Sequence, residues 1–273
     1  MERAPGTAQR TAAAFAAAVV LLVVLAVAAT VAARTRWWFP PLASLHGRAV
    51  DTLFAVTFGI IAVAFVLVHA LLALFVWRYR EHPERRAAYW HDHRALELTY
   101  TIVPAVVLVI LTLAAARLWA GIHSPPPAGA LVVEVRAEQF GWLARYPGPD
   151  GVFGRVDPAQ YHRRDNPMAL DRSDPAGRDD IVTTELHLVA GRPAAVRLRS
   201  KDVIHSFFLA ELRVKQDAVP GVTVVKWFVP TREGTFEIAC AELCGVGHYA
   251  MRGRLVVQSQ AAFDAWLAAQ GRR

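Results

Sequence analysis

Three long apolar stretches are the feature that most constrains what this chain can fold into. They span residues 11–33, 53–77 and 98–120. Each provides the roughly 20 apolar residues that are needed to cross the hydrocarbon core of a bilayer. The chain is 55% hydrophobic with a mean hydropathy of +0.29, which is high for a soluble protein. We therefore predict a membrane protein with helical spans.

The first apolar stretch admits two interpretations. Residues 1–34 form either an additional transmembrane helix or a cleaved signal peptide, for which Ala26-Val27-Ala28 offers a cleavage site. We favour the retained helix, because the apolar run is long for the hydrophobic region of a signal peptide. Residues 35–124 then form a helical hairpin that contains the other two spans.

Basic residues predict the orientation of these spans. The connection between the second and third stretches carries five arginines: Arg78, Arg80, Arg85, Arg86 and Arg94. Residues 121–134 carry no lysine or arginine. Because basic loops remain in the cytoplasm, we predict a multi-pass protein of a bacterial-type plasma membrane, with everything after Gly121 on the outer side. Lys and Arg exceed Asp and Glu by 7 in the chain but by only 2 from Ser124 onward, which argues against a nucleic-acid partner.

The remaining segment, residues 125–273, is predicted to be a mainly β domain. Apolar and polar residues alternate over six short runs: 130–138, 183–189, 194–200, 223–229, 234–240 and 253–257. Such runs, separated by turn residues, predict a β-sandwich or barrel. A polar insertion at 155–180 predicts a long loop, and residues 259–270 predict a short helix capped by Ser259.

Soft metal ligands are concentrated in one short segment, CAELCGVGHYAM, between Cys240 and Met251. It contains both cysteines of the chain together with His248. Two ordinary interpretations are a Cys240–Cys244 disulfide and a structural zinc site. Zinc sites, however, are built from Cys, His and carboxylates and have little use for a thioether.

A copper site explains the composition of this segment better. One cysteine, a methionine and two histidines suit a copper centre, and His205 in KDVIHSFFL is the natural second histidine. Cys240 is then a surplus thiolate for a single copper ion. Two thiolates can bridge two copper ions, which suits electron transfer. The zinc site and the disulfide remain as alternatives.

The chain resembles subunit II of the haem–copper cytochrome c oxidases over roughly residues 50–270. The matching segments are CAELCGVGHYAM, KDVIHSFFL, RVKQDAVPG, AEQFGW and LELTYTIVPAVV. The family fold is a transmembrane helical hairpin that carries a cupredoxin-like β-barrel or sandwich. The resemblance therefore implies a mainly β, membrane-anchored fold, to which this chain adds an N-terminal hydrophobic helix and the 155–180 insertion.

The resemblance also implies a set of ligands. The cofactor would be a dinuclear copper centre, CuA, whose ligands would be His205, Cys240, the Glu242 carbonyl, Cys244, His248 and Met251. The Glu242 carboxylate would bind magnesium at the boundary with subunit I. The chain lacks a Cys-x-x-Cys-His haem motif, so we expect no haem here.

Three further residues receive roles from the resemblance. Glu97 matches a glutamate at the mouth of a proton channel. Many members read Trp-Tyr-Trp where this chain has Phe140, Gly141 and Trp142, so Phe140 stands where electrons usually enter. Core packing is an equally good interpretation of Phe140 and Trp142.

The function implied is that of a subunit of a proton-translocating cytochrome-c oxidase, with subunits I and III as partners. Cytochrome c would deliver electrons to the copper, and haem and copper in subunit I would reduce oxygen to water. The copper ligands argue against the related quinol oxidases, which have lost them. The CuA subunit of another respiratory reductase, such as a nitric oxide reductase, remains an alternative, as does a membrane-tethered copper-binding protein.

We also expect acidic and apolar residues at the surface on which the electron donor docks. Near-neutral net charge beyond Ser124 gives no overall attraction to a basic cytochrome c. We expect acidic side chains, Glu211 and Asp217 among them, to surround an apolar patch at Phe140 and Trp142.

Overall fold

Long helices make up the first half of the chain. The computed structural model describes residues 7–36, 39–80, 84–86 and 88–270. Within these ranges, α1 (Thr7–Arg36), α2 (Gly47–Arg78) and α3 (Arg94–Ile122) are the helices long and apolar enough to cross a membrane. Their apolar side chains are mostly exposed in the isolated chain, as at Val63 (69%). Such a surface suits contact with lipid or with partner helices.

The helices extend beyond the predicted apolar stretches, because polar residues continue each helix past its apolar segment. Pro104 lies inside α3 without ending it, as membrane helices allow. The helical unit comprises residues up to Phe39 and Asp51–Arg117, and the second unit comprises Pro40–Val50 and Leu118–Arg273.

The second unit is a sandwich of two five-stranded sheets, as predicted. In chain order the strands are β1 (Leu131–Glu138), β2 (Gly141–Tyr146), β3 (Ile181–Thr183), β4 (Glu185–Val189), β5 (Ala194–Ser200), β6 (His205–Leu209), β7 (Val214–Ala218), β8 (Val224–Phe228), β9 (Gly234–Cys240) and β10 (Arg252–Gln258). One sheet has the order β3-β2-β1-β5-β8 and the other β4-β10-β9-β6-β7. Strand pairing is antiparallel except between β1 and β5 and between β4 and β10.

Alternation along the strands builds the core between the two sheets. Val133, Val135 and Ala137 of β1 are buried at 1% exposure or less, as are Phe207 and Leu209 of β6. This follows from the two-residue period of a strand, which places every second side chain on the inner face. Strands β2, β6 and β7, and β3 apart from Thr183, were not among the predicted alternating runs.

A final helix, α4 (Gln260–Gln270), completes the unit. The Ser259 hydroxyl accepts a hydrogen bond from the Ala262 backbone amide at 3.2 Å, which confirms the predicted cap. Phe263 of this helix is 2% exposed and joins the core.

The 155–180 insertion contains more structure than a long loop. Two 3₁₀ turns, Pro158–Gln160 and Pro175–Gly177, are each capped by the preceding aspartate. A buried ion pair between Arg145 of β2 and Asp180 attaches the end of the insertion to the sandwich. The insertion is therefore a folded extension of the domain.

Candidate metal centre

Strand pairing brings the predicted ligands together at one end of the sandwich. His205 is the first residue of β6 and Cys240 is the last residue of β9. These strands are antiparallel neighbours, with Phe207 opposite Cys240. The 241–251 segment connects β9 to β10 and returns to the same end. The register of the sheet therefore places His205 beside the cysteine-containing loop.

The two cysteines lie close together without forming a disulfide. Their sulfur atoms are 3.8 Å apart, and both residues are free cysteines. A disulfide requires about 2.05 Å between the sulfurs. The disulfide interpretation therefore does not describe this structure.

Each sulfur has a histidine nitrogen beside it. The Nδ1 atom of His205 lies 3.9 Å from the Cys240 sulfur, and the Nδ1 atom of His248 lies 3.6 Å from the Cys244 sulfur. The sulfur of Met251 is 3.7 Å from that of Cys244. The ligand atoms of His205, Cys240 and Cys244 all lie within 4.8 Å of one another, so these residues could hold a metal ion.

The atoms around this cluster fit copper better than zinc. The donors are two sulfurs of cysteine, one thioether sulfur and two imidazole nitrogens. Soft sulfur ligands favour copper, whereas a thioether is unusual for zinc. The Glu242 carbonyl, which accepts a hydrogen bond from the Cys240 thiol at 3.2 Å, adds an oxygen donor at the rim. Met251 and Cys244 are buried at 1% and 3% exposure, which excludes water from this side of the cluster.

Asp202 orients one of these histidines, and the sequence analysis missed it. The Nε2–H of His205 donates to Asp202 Oδ1 at 2.8 Å, which leaves the Nδ1 lone pair directed at the sulfurs. A carboxylate that fixes the imidazole tautomer in this way is a common feature of metal sites. The position of Asp202 three residues before His205 in the sequence is the signal from which this role could have been predicted.

Gln139 connects the β1–β2 turn to the metal loop and was also missed. Its backbone amide donates to Asp202 Oδ2 at 2.8 Å, and its side-chain amide donates to the Cys244 carbonyl at 2.5 Å. One residue thus joins the carboxylate beside His205 to the loop that carries Cys244.

Burial and neighbouring groups shift two pKa values at the site. Burial, followed by the proximity of Cys240, raises the pKa of the Cys244 thiol to about 11. Partial burial of Asp202 is outweighed by the amide of Gln139 and by His205, so that the pKa of its carboxyl lies below the usual value. Asp202 is therefore an anion, and Cys244 must lose a proton to bind a metal.

Phe140 and Trp142 occupy different environments. Phe140 is 40% exposed and its ring lies against the metal loop, where a methyl group added at Gly247 would come within 2.4 Å of it. Trp142 is only 5% exposed. It contacts the ring of His205 edge-on, with the ring centroids 6.3 Å apart. Phe140 is therefore a surface group and Trp142 a core group beneath the site.

The remaining predicted residues lie in separate places. Glu242 is exposed on the metal loop. Glu97 lies in the first turn of α3, within the helical unit. Asp217 faces Ser206, next to His205, and forms an ion pair with Lys215 at 3.1 Å. Glu211 follows the opposite end of β6, so the structure does not bring it to the metal loop.

The metal loop also presents apolar side chains to its surroundings. Leu243, Val246 and Tyr249 are 78%, 93% and 82% exposed. Exposed apolar groups clustered on one loop indicate a surface that contacts another protein.

Apolar helices, a two-sheet domain and a sulfur-rich cluster at one end of that domain define a membrane-anchored, cupredoxin-like protein with a candidate metal site. Two family models match the chain. The model described as cytochrome c oxidase subunit II, transmembrane domain, matches residues 32–118, and the one described as the periplasmic domain matches residues 173–260. The chain belongs to the cytochrome c oxidase subunit II family, and is thus a component of a haem–copper terminal oxidase.

Two relatives that are more than 30% identical agree with this assignment. An alternative cytochrome c oxidase subunit 2 from Bradyrhizobium diazoefficiens is 38% identical over 86% of this chain and 84% of its own length. A cytochrome c oxidase subunit 2 from Cereibacter sphaeroides is 32% identical over 84% of this chain and 78% of its own. The crystal structure of the periplasmic domain of subunit II of cytochrome oxidase of Bradyrhizobium japonicum is 24% identical, with a TM-score of 0.40. That alignment covers 54% of this chain and 98% of the other.

Proposed function

We propose that this chain is the electron-accepting subunit of a cytochrome c oxidase, which receives electrons from cytochrome c at a dinuclear copper centre and transfers them to haem and copper in subunit I, where oxygen is reduced to water. The observation that carries the proposal is the paired arrangement of donors. Two free thiols lie 3.8 Å apart, and each has a histidine Nδ1 within 3.9 Å of its sulfur. A single copper ion bound by one thiolate, two imidazoles and a thioether would leave the Cys240 thiol without a role.

The proposed ligands are His205, Cys240, the Glu242 carbonyl, Cys244, His248 and Met251. Bound copper would supply a one-electron carrier that changes oxidation state with little rearrangement. Asp202 holds the imidazole of His205, and buried Met251 and Phe207 keep water from the inner side of the site. The protein thereby supplies a rigid, dry environment with preset donor atoms.

We further propose that the exposed Glu242 carboxylate binds magnesium at the boundary with subunit I. Phe140 would receive electrons at the surface, with Trp142 supporting His205 from below. Glu97 would lie at the mouth of a proton channel. Glu97→Gln should then slow oxygen reduction in the assembled oxidase at unchanged copper content, and unaltered turnover would leave Glu97 only a role at the start of α3. We also propose that the chain is divided into an N-terminal hydrophobic segment (1–34), a transmembrane helical hairpin (35–124) and an external domain (125–273).

The decisive experiment is metal analysis and electron paramagnetic resonance of the copper-loaded full-length chain in detergent. We expect two copper ions per chain and one unpaired electron shared between two copper nuclei. His205→Gln should abolish this signal, whereas His187→Gln should preserve it. His187 is a suitable control because it is also buried, at 7% exposure, but lies in β4 away from the cluster. One copper ion per wild-type chain would contradict the dinuclear proposal.

A further inference from the structure

Tyr161 of the polar insertion contacts the connection between β5 and β6, residues 201–204. The Lys201 ammonium donates a hydrogen bond to the Tyr161 hydroxyl at 2.5 Å and lies 3.9 Å from the centre of the tyrosine ring. The same ammonium lies 3.2 Å from a carboxylate oxygen of Glu138, the last residue of β1. The insertion, the β5–β6 connection and the end of β1 therefore meet at one cation.

A second cation joins the insertion to the same carboxylate. Arg136 of β1 donates to the Pro167 carbonyl of the insertion and, at 3.2 Å, to Glu138. Glu138 thus forms one ion pair with Arg136 and another with Lys201. Because each of these two cations is also bonded to the insertion, the insertion is attached along β1 and beside the β5–β6 connection.

Parallel pairing of β1 with β5 holds the backbone of Lys201 as well. Ala137 of β1 lies opposite Ser200 of β5, and the Lys201 backbone amide donates to the Ala137 carbonyl at 3.0 Å. The β5–β6 connection therefore leaves the sheet alongside the end of β1. Its first residue is fixed both by its backbone and by its side chain.

The next residue of each of these two segments contacts the metal centre. Gln139 follows Glu138, and its backbone amide donates to Asp202 at 2.8 Å, while its side chain binds the Cys244 carbonyl. Asp202 follows Lys201 and accepts the hydrogen bond from His205 at 2.8 Å. The contacts with the insertion are thus one residue along the chain from those that orient the imidazole.

We propose that Tyr161 and Lys201 are positioning residues for the metal centre. The insertion holds the β5–β6 connection through the Lys201 ammonium and thereby fixes the Asp202 carboxylate, which orients His205. This inference deepens the proposed function and rests on it, because His205 must be a metal ligand.

The physical role of these contacts is to restrict motion. The Lys201 and Glu138 side chains are 34% and 23% exposed, and partly exposed ion pairs contribute little to the free energy of unfolding. Ligand geometry is more demanding, because a site works only when its groups are held to within about 0.5 Å and about 10–20°. Loss of the Lys201 contacts should therefore affect the metal centre more than the stability of the domain.

The test is a competition titration with a copper chelator, together with electron paramagnetic resonance, on the full-length chain in detergent. Lys201→Met removes the ammonium and should weaken copper binding by about three- to tenfold, less than the roughly 10- to 100-fold expected for loss of a direct partner of a ligand. The copper resonance spectrum should also change. Tyr161→Phe keeps the ring and should give a smaller change in the same direction, and Lys201→Arg, which keeps the charge, should restore part of the affinity. Wild-type affinity and spectrum in Lys201→Met would overturn the inference.

A double-variant cycle tests whether the effect passes through Asp202. Asp202→Ala removes the carboxylate, so adding Lys201→Met to that chain should change copper affinity much less than it does in the wild type. A general loosening of the domain would instead lower affinity by the same factor in both backgrounds. Such additivity would contradict a positioning role for Lys201.

Arg155→Met provides a matched control within the insertion. Arg155 is also a partly exposed cation, and it forms ion pairs with Asp171 and Asp174, both of which belong to the insertion. Its replacement should leave copper affinity and the resonance spectrum unchanged. Equal losses of affinity in Arg155→Met and Lys201→Met would mean that any disturbance of the insertion has this effect, and would overturn the specific role of Lys201.

The outcomes also separate this inference from the function on which it rests. If the wild-type chain binds a single copper ion, the dinuclear proposal fails, but the double-variant cycle still decides whether Lys201 acts through Asp202 on the bound metal. If the wild-type chain binds no copper, both the inference and the proposed function are refuted.

Discussion

The carboxylate of Asp202 lies 2.8 Å from Nε2 of His205, and this contact fixes which nitrogen of the ring faces the two cysteines. The contact spans three residues, but its geometry depends on Gln139, which binds the other carboxylate oxygen through its amide. The imidazole is therefore positioned by two segments that are distant in sequence.

Asp202→Asn should weaken copper binding while the chain still folds. The substitution removes the negative charge that favours imidazole as a ligand, and the loss of such a partner typically lowers metal affinity by about 10- to 100-fold. Competition titration with a copper chelator measures the effect. Asp264→Asn on α4 serves as a control and should bind copper as the wild type does. Equal affinity in both variants would show that Asp202 has no part in binding.

Met251→Leu should change the copper spectrum at little cost in stability. Leucine retains the apolar volume, and such exchanges usually cost less than about 1.5 kcal/mol, but the thioether donor is lost. Met168→Leu is a matched control, since Met168 is also 1% exposed and lies in the insertion. We expect an altered resonance spectrum only for Met251→Leu. Identical spectra for the two variants would remove Met251 from the ligand set.

Copper uptake should strengthen as the pH rises. The pKa of the Cys244 thiol is raised to about 11, so at neutral pH the thiol is protonated and metal binding must release that proton. The apparent affinity is then expected to increase about tenfold per pH unit for each proton released, at every pH below the raised pKa. Titrations at several pH values between about 6 and 8, with proton release followed by a dye, measure this slope. A slope of zero would indicate that no thiol deprotonates on binding.

Phe140→Ala should slow electron transfer from cytochrome c to copper, by about tenfold if the ring is a contact hot spot. The ring is exposed and lies against the metal loop, whereas Trp142 is buried. Phe153→Ala, at a half-buried phenylalanine whose ring is stacked by Arg145 and Arg197, is the control. Stopped-flow rates at unchanged copper content distinguish the two. Wild-type rates for Phe140→Ala would place the electron-input site elsewhere.

Asp180→Ala should destabilise the domain more than any change at an exposed ion pair. Arg145 and Asp180 have side chains that are 1% and 0% exposed, and removing one partner leaves a buried charge, at a cost of about 3–5 kcal/mol. Arg155→Met breaks the exposed pair with Asp171 and should cost at most about 1 kcal/mol. Denaturant unfolding and limited proteolysis of the insertion compare the two variants. Similar losses in both would mean that Arg145 finds another partner.

The sequence by itself determined the features that depend on local pattern. Apolar length predicted the membrane spans, alternation predicted most strands, and the spacing of Cys240, Cys244, His248 and Met251 predicted the loop cluster. Such features need only neighbouring residues, because a span, a strand face or a short metal loop is defined by the chain over a few residues.

Tertiary structure decided which distant residues meet. Strand register placed His205 beside Cys240. The β1–β2 turn brought Gln139 and Phe140 against the metal loop. Trp142, in contrast, lies in the core, and Glu211 lies at the other end of β6. The insertion, predicted as a loop, folded along β1. The physical reason is that the alternation of apolar and polar residues specifies which face of a strand is buried. It does not specify the neighbours of a residue, because a shift in strand pairing or a longer connection changes them. Only the packed sheets fix those neighbours.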